Sequence, residues 1–135
     1  MKTNPKNEAI ANFFNFDFET DEFDLDGWGR VDFYCYHENI LVLMEVDGSG
    51  QKHPNTNVLK LWPYLEENPE QKILLIHVIR SDNKAPKNRL ALCGFTGEKL
   101  ENNFISRFAY QFINGNPWDN PKVNEEIKKK LDSLA

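Results

Sequence analysis

The pattern of hydrophobic and polar positions predicts strands and helices in alternation, and its clearest feature is a hairpin. Two runs rich in β-branched and aromatic residues, Val31 to His37 and Ile40 to Asp47, flank the dipeptide Glu38-Asn39. Such runs favour strands, and Asn tolerates the left-handed backbone that a two-residue turn requires. We therefore predict two paired antiparallel strands.

If His37 pairs with Ile40, the rest of the register follows. The predicted pairs are Tyr36 with Leu41, Tyr34 with Leu43, Asp32 with Glu45, and Arg30 with Asp47. Directly opposed residues share a face of the sheet, so two carboxylates lie side by side, with Asp47 one pleat further along.

The other apolar stretches predict the elements around this hairpin. They are a helix over 7–16, an edge strand within 16–30, a helix from near Asn55 or Thr56, an interior strand over 72–80, a helix over 86–100, a strand over 104–113, and a last helix that Asn120 caps. Pro63 predicts a kink or an early end of the second helix. The hairpin is apolar on both faces, which is typical of a sheet covered by helices on both sides. The sequence thus predicts an α/β fold.

Length and composition restrict the class of protein. The 135 residues favour a single domain over 1–135, and 40% hydrophobic residues favour a packed core over disorder. The net charge of −5 argues against strong nonspecific attraction to nucleic acid, although a local basic rim is compatible with it. The chain start lacks an apolar targeting segment, and no run approaches membrane-spanning length. We expect a cytoplasmic protein with no membrane association.

The opposed carboxylates are the candidate chemistry. Like charges opposite each other destabilise a sheet, so Asp32, Glu45 and Asp47 call for a compensating cation. Mg²⁺ prefers oxygen ligands and commonly takes one or two carboxylates together with water and substrate phosphate. The alternative is that Asp47 pairs with Arg30 while Asp32 lies at a solvated end of the sheet.

Two other polar groups have simpler explanations. His77, inside an apolar strand, is expected to be a half-buried core histidine, and Lys60, off the apolar stripe of its helix, a surface lysine. A zinc site built from Cys35, His37, His53, His77 or Cys93 lacks the usual ligand spacing.

The order helix, three antiparallel strands, helix, strand, with Asp32 early in one strand and Glu45 late in the next, resembles the PD-(D/E)XK nuclease superfamily over about the first eighty residues. The resemblance implies the restriction-endonuclease-like fold, a three-layer sandwich whose mixed central sheet has about five strands flanked by helices. It also implies phosphodiester hydrolysis of nucleic acid, with DNA as the first expectation, assisted by Mg²⁺ or Mn²⁺.

The same resemblance implies a role for each site residue. Asp32 and Glu45 would be metal ligands, and Asp47 a further ligand or a base that orients water. Asp47 stands where the family usually has Lys; some members supply that lysine from a neighbouring loop or the following helix, which makes Lys52 and Lys60 the candidates.

A rival function stays open at this point. The missing lysine and the acidic net charge favour a catalytically inactive nuclease-fold protein that serves as a binding or regulatory module. An acidic chain of this size could also work as a homodimer or through a protein partner that brings it to DNA.

Overall fold

The computed structural model describes residues 4–135. Positions 1–3, which belong to the chain start considered above, lie outside the described residues. The elements are α1 (Pro5–Phe13), β1 (Phe23–Asp24), β2 (Arg30–Val31), β3 (Phe33–His37), β4 (Ile40–Asp47), α2 (Thr56–Leu59), α3 (Leu61–Glu67), β5 (Lys72–Ile79), α4 (Lys87–Asn103), β6 (Phe108–Asn114), a 3₁₀ turn (Pro117–Asp119) and α5 (Val123–Leu134).

The main sheet is mixed and has four strands in the order β3-β4-β5-β6. Strands β3 and β4 are antiparallel, whereas β5 runs parallel to β4 and β6 runs parallel to β5. Strands β1 and β2 form a separate two-stranded sheet. The prediction of about five strands in one central sheet was therefore wrong in its number, while the mixed α/β class is confirmed.

The predicted hairpin register is confirmed over the length of β3. Tyr36 pairs with Leu41 and Tyr34 with Leu43, and the ladder ends at the pair of Phe33 and Met44. Its turn differs in one detail from the prediction, because the left-handed conformation falls on Glu38, with φ of 56°.

The predicted strand Val31 to His37 is interrupted at Asp32. The residues before it, Arg30–Val31, leave the main sheet and pair with Phe23–Asp24. The expected pair of Arg30 with Asp47 therefore does not form as part of a ladder. Because the ladder is interrupted here, the backbone N–H groups of Asp32 and Val46 bond to side chains instead of to a neighbouring strand.

Helices cover both faces of the main sheet, which makes three layers. One face packs on α1 and α5 through a core that includes Ile10, Val42 and Ile127. The other face packs on α2, α3 and α4. Alternate residues of each strand enter opposite cores, as the period of two in a strand requires.

The first helix is shorter than predicted. It begins after Asn4, whose side chain accepts hydrogen bonds from the backbone N–H groups of Lys6 and Asn7, and it ends at Phe13 rather than near 16. An Asn at this position satisfies backbone donors that have no partner inside the helix.

The second predicted helix is divided at Lys60 into α2 and α3. Pro63 is the third residue of α3, where a backbone N–H would have no partner inside the helix, so the proline is accommodated there. The division matters for function, because it places Lys60 at a corner between two helices.

Helix α4 contains two glycines, and one of them has a packing role. A Cβ atom at Gly97 would lie 2.1 Å from Cδ2 of Tyr110 on β6, so only glycine lets the tyrosine ring lie against this helix. At Gly94 nothing lies within 4 Å of the same added atom. The sequence pattern does not distinguish these two glycines, but only Gly97 lies in close contact with a neighbouring side chain.

Candidate functional site

A polar recess of about 400 Å³ lies at the carboxyl end of β4. Its lining includes residues of β2 and the residue that follows it, residues of β4, residues of α2 with Lys60 after it, and the residue that follows β5. The charged and amide residues that line it include Arg30, Asp32, Glu45, Asp47, Asn57, Lys60 and Arg80.

The side chains of Asp32 and Glu45 each accept a hydrogen bond from the backbone of the other segment. The backbone N–H of Asp32 donates to Oε1 of Glu45 at 3.0 Å, and the backbone N–H of Val46 donates to Oδ2 of Asp32 at 2.8 Å. These bonds replace the regular ladder where β3 has ended. The predicted ladder pair of Asp32 with Glu45 does not form, but both carboxylates line the same recess.

Glu45 is buried, with 5% of its surface exposed, and its environment opposes ionisation. Burial raises the pKa of Glu45 to about 8, the negative charge of Asp32 acts in the same direction, and Lys60 lowers it only in part. The cause is that a charged carboxylate loses its hydration in the interior. The contact with Lys60 therefore does not fully offset the effect of burial on Glu45.

Lys60 is the cation that the fold brings to this carboxylate. Its Nζ atom donates to Oε2 of Glu45 at 2.9 Å and to Oδ1 of Asn57 at 2.9 Å, and also to the backbone carbonyl of Arg30. The expectation of a solvated surface lysine was therefore wrong, because the Lys60 side chain is largely buried and bonded within the recess.

Lys52, the other candidate lysine, lies elsewhere. It is exposed, it does not line the recess, and its backbone carbonyl accepts a hydrogen bond from Arg89. Of the two lysines predicted from the sequence, the structure joins only Lys60 to the carboxylates.

Asp47 is buried and has partners on both carboxylate oxygens. Its Oδ1 accepts from Nδ2 of Asn57 at 2.7 Å, and its Oδ2 lies 2.7 Å from Nε2 of His77. The other ring nitrogen of His77 lies 2.7 Å from the hydroxyl of Tyr110. A continuous chain of hydrogen bonds therefore runs from Tyr110 through His77, Asp47 and Asn57 to Lys60.

The roles of His77, Asn57 and Tyr110 were not predicted from the sequence. His77 is a core histidine as predicted, but it is fully buried rather than half-buried and bonds to Asp47. A histidine inside a fully apolar strand was the available signal, since a buried polar ring needs a partner. Asn57 lies three residues before Lys60, and no feature of the sequence singled it out.

Two arginines contribute positive charge at the edge of the recess. Arg30 is exposed, whereas Arg80 is held by hydrogen bonds to Asn7 and to Asp82. The guanidinium of Arg80 lies against Gly48, where an added Cβ would come within 2.7 Å of it. Each arginine is also paired with an acidic side chain, Arg30 with Glu22 and Arg80 with Asp82.

The donor set of the recess fits Mg²⁺ better than it fits zinc. Within residues 4–135, no three His, Cys, Asp or Glu side chains are gathered so that they could hold a metal ion by themselves. Mg²⁺ does not require such a cage, because one or two carboxylates suffice when water and substrate phosphate complete its shell. Asp32 and Glu45 would hold it, and its positive charge would favour the ionised form of Glu45.

The zinc hypothesis fails on the placement of the two thiols. Cys35 belongs to the core that packs on α1 and α5, and Cys93 to the core on the opposite face of the sheet. Both are buried free cysteines, and burial raises their pKa values to about 11 and about 12. One ion cannot bind both.

Comparison of the chain with protein-family models, with curated proteins and with solved structures gave no match. In the described part of the chain, none of the helices combines the length and the apolar character needed to span a membrane.

Proposed function

We propose that the protein is a Mg²⁺-dependent phosphodiesterase of the PD-(D/E)XK type, with the restriction-endonuclease-like fold, that cleaves nucleic acid. DNA is the first substrate to test. One observation carries the proposal: Lys60 donates to Glu45 at 2.9 Å beside Asp32, so a carboxylate pair and a lysine come together although the usual lysine position holds Asp47.

The order of elements also supports the proposal. A helix, strands with antiparallel pairing, a helical segment and a parallel strand follow one another from α1 to β5. The corner that bears Lys60 belongs to the helical segment that follows the Glu45 strand, where some members of the superfamily have their lysine.

Each residue of the chain would have a distinct task. Asp32 and Glu45 would hold Mg²⁺, which when bound activates a water and offsets charge on the phosphate. All three N–H groups of Lys60 have partners within the protein. Lys60 would exchange one of these partners for a phosphate oxygen as negative charge develops on it. Asn57 would orient Lys60, and Asp47, whose oxygens are occupied by Asn57 and His77, would hold Asn57 in place.

The test is a cleavage assay on plasmid, single-stranded DNA and RNA, with Mg²⁺ and with EDTA. We expect Asp32→Ala and Glu45→Ala to abolish Mg²⁺-dependent cleavage while the circular dichroism spectrum stays that of the folded protein. Activity that is unchanged in either variant would overturn the assignment of the site.

A catalytically inactive binding module is the second candidate. The observation that favours it is that Asp47 replaces the usual lysine and has both oxygens engaged inside the protein. Metal titration separates the two functions. Absence of Mg²⁺ and Mn²⁺ binding at millimolar concentration would favour the binding module.

A further inference from the structure

A second, largely apolar recess adjoins the carboxylate recess. Its volume is about 640 Å³, and it opens on the outer side of the corner between α2 and α3. Two of its residues, Asn57 and Lys60, also line the carboxylate recess. The apolar part of its wall is formed by Trp28, Leu59, Trp62 and Pro63. An apolar surface thus continues directly into the candidate catalytic site.

The two tryptophans are held at their polar edges. Trp28, with 49% of its surface exposed, donates from Nε1 to Glu67 at 2.9 Å, and Trp62 donates from Nε1 to Glu66 at 3.0 Å. Since each indole N–H already has a partner within the protein, what the rings can offer a ligand is their apolar faces.

We propose that this second recess binds an unpaired base of single-stranded nucleic acid, stacked on Trp28 or Trp62, whose phosphate lies at Lys60. The inference rests on the proposed function and specifies its substrate. A nucleotide carries a flat apolar base next to an anionic phosphate. The surface has the complementary order, because the recess with the aromatic side chains shares Lys60 with the carboxylate recess, where its ammonium group is bonded. Stacking on aromatic side chains is a general mode of binding single strands.

The charges around the tryptophans argue for one strand rather than two. Glu66 and Glu67 lie where the indole N–H groups point, so a second phosphate backbone in that region would meet two carboxylates and be repelled. In a duplex, moreover, the faces of the bases are stacked on each other and are not available to a protein ring. The site therefore fits an unpaired base.

Binding can be measured without cleavage in the Glu45→Gln protein. The probe is an oligothymidylate of about ten nucleotides, a length within the range of single-strand sites. Stacking is worth about 1–3 kcal/mol per base, so we expect Trp28→Leu or Trp62→Leu to weaken binding about 5- to 150-fold. Trp118→Leu is the matched control. Trp118 is 48% exposed but packs near Phe13, outside this recess, and we expect no change there.

Fluorescence gives a second readout that does not depend on the folding of the leucine variants. In a Glu45→Gln protein that also carries Trp118→Phe, Trp28 and Trp62 are the only tryptophans, and they can be excited selectively over the tyrosines. We expect their fluorescence to be quenched by the oligothymidylate and much less by a blunt duplex of the same length. Absence of quenching, or equal quenching by the duplex, would overturn the inference.

Two further outcomes separate this inference from the proposed function. If oligothymidylate quenches the tryptophan fluorescence of the wild-type protein but that protein cleaves no nucleic acid with Mg²⁺, the inference stands and the nuclease proposal fails. If wild-type protein cleaves DNA while Trp28→Leu and Trp62→Leu keep its KM and affinity, the nuclease proposal stands and the inference fails.

Discussion

The Nζ atom of Lys60 lies 2.9 Å from Oε2 of Glu45, although the two residues are 15 positions apart in the chain. Glu45 comes from the end of a buried strand, and Lys60 from the corner between two short helices. This contact joins two separate features of the sequence into one site.

Removal of the Lys60 ammonium should abolish most of the catalysis. Loss of one donor to a developing oxyanion typically lowers kcat about 10²- to 10³-fold, and we expect Lys60→Met to fall in that range. Lys52→Met should retain activity because Lys52 lies outside the recess. Steady-state cleavage kinetics of both variants test this. The reverse result would transfer the role to Lys52.

Glu45 should make the stability of the metal-free protein depend on pH. Its pKa of about 8 in the folded protein is above that of an ordinary carboxyl group, for which the reference value is 4.5. The folded state therefore binds the proton more tightly than the unfolded state does. Its contribution to stability is complete below about pH 4.5 and is lost as the pH rises through about 8.

Chemical denaturation in EDTA at several pH values measures this contribution. The free energy of unfolding should fall between about pH 5 and pH 8 more steeply in wild-type protein than in Glu45→Gln, which cannot titrate at this position. Identical pH dependence in the two proteins would show that burial does not shift the Glu45 carboxyl.

Asp47 should matter less for metal binding than Glu45 does. Both of its oxygens are engaged by Asn57 and His77, so its task is to hold neighbouring side chains. Both oxygens of Glu45 are engaged too, but one of its partners is the backbone N–H of Asp32, the other proposed ligand. By isothermal titration calorimetry, we expect Asp47→Asn to keep most of the Mg²⁺ affinity and Glu45→Gln to lose it. Equal losses would make Asp47 a ligand.

Gly97 and Gly94 provide a matched test of packing in α4. A methyl group at Gly97 would overlap the Tyr110 ring, so Gly97→Ala should destabilise the protein by about 1–3 kcal/mol. Gly94→Ala meets nothing within 4 Å and should stabilise the helix by up to about 1 kcal/mol. Denaturant unfolding compares them. Stabilisation by both substitutions would be inconsistent with the contact between Gly97 and Tyr110.

The hairpin shows what the sequence can predict here and why. The pairing of Tyr34 with Leu43 followed from two β-prone runs and a short turn, which are local features. The interruption at Asp32 did not follow, because it depends on side chains that bond to the backbone of the neighbouring strand. Hydrophobic periodicity carries no information about such bonds.

The candidate site was predictable in its acidic half. Asp32 and Glu45 came from strand register, whereas the contacts of Lys60 with Glu45 and Asn57 are not shown by the apolar stripe of its helix. The chain of bonds through His77 and Tyr110 joins β4, β5 and β6, and it requires the order of strands, which a single sequence does not contain.

The most direct test is anomalous diffraction from crystals soaked in millimolar Mn²⁺, which serves as a visible substitute for Mg²⁺. The proposed site predicts a peak within coordination distance of both Asp32 and Glu45, next to Lys60. A peak bound by other residues, or no peak at these two carboxylates in crystals that contain the ion, would contradict it.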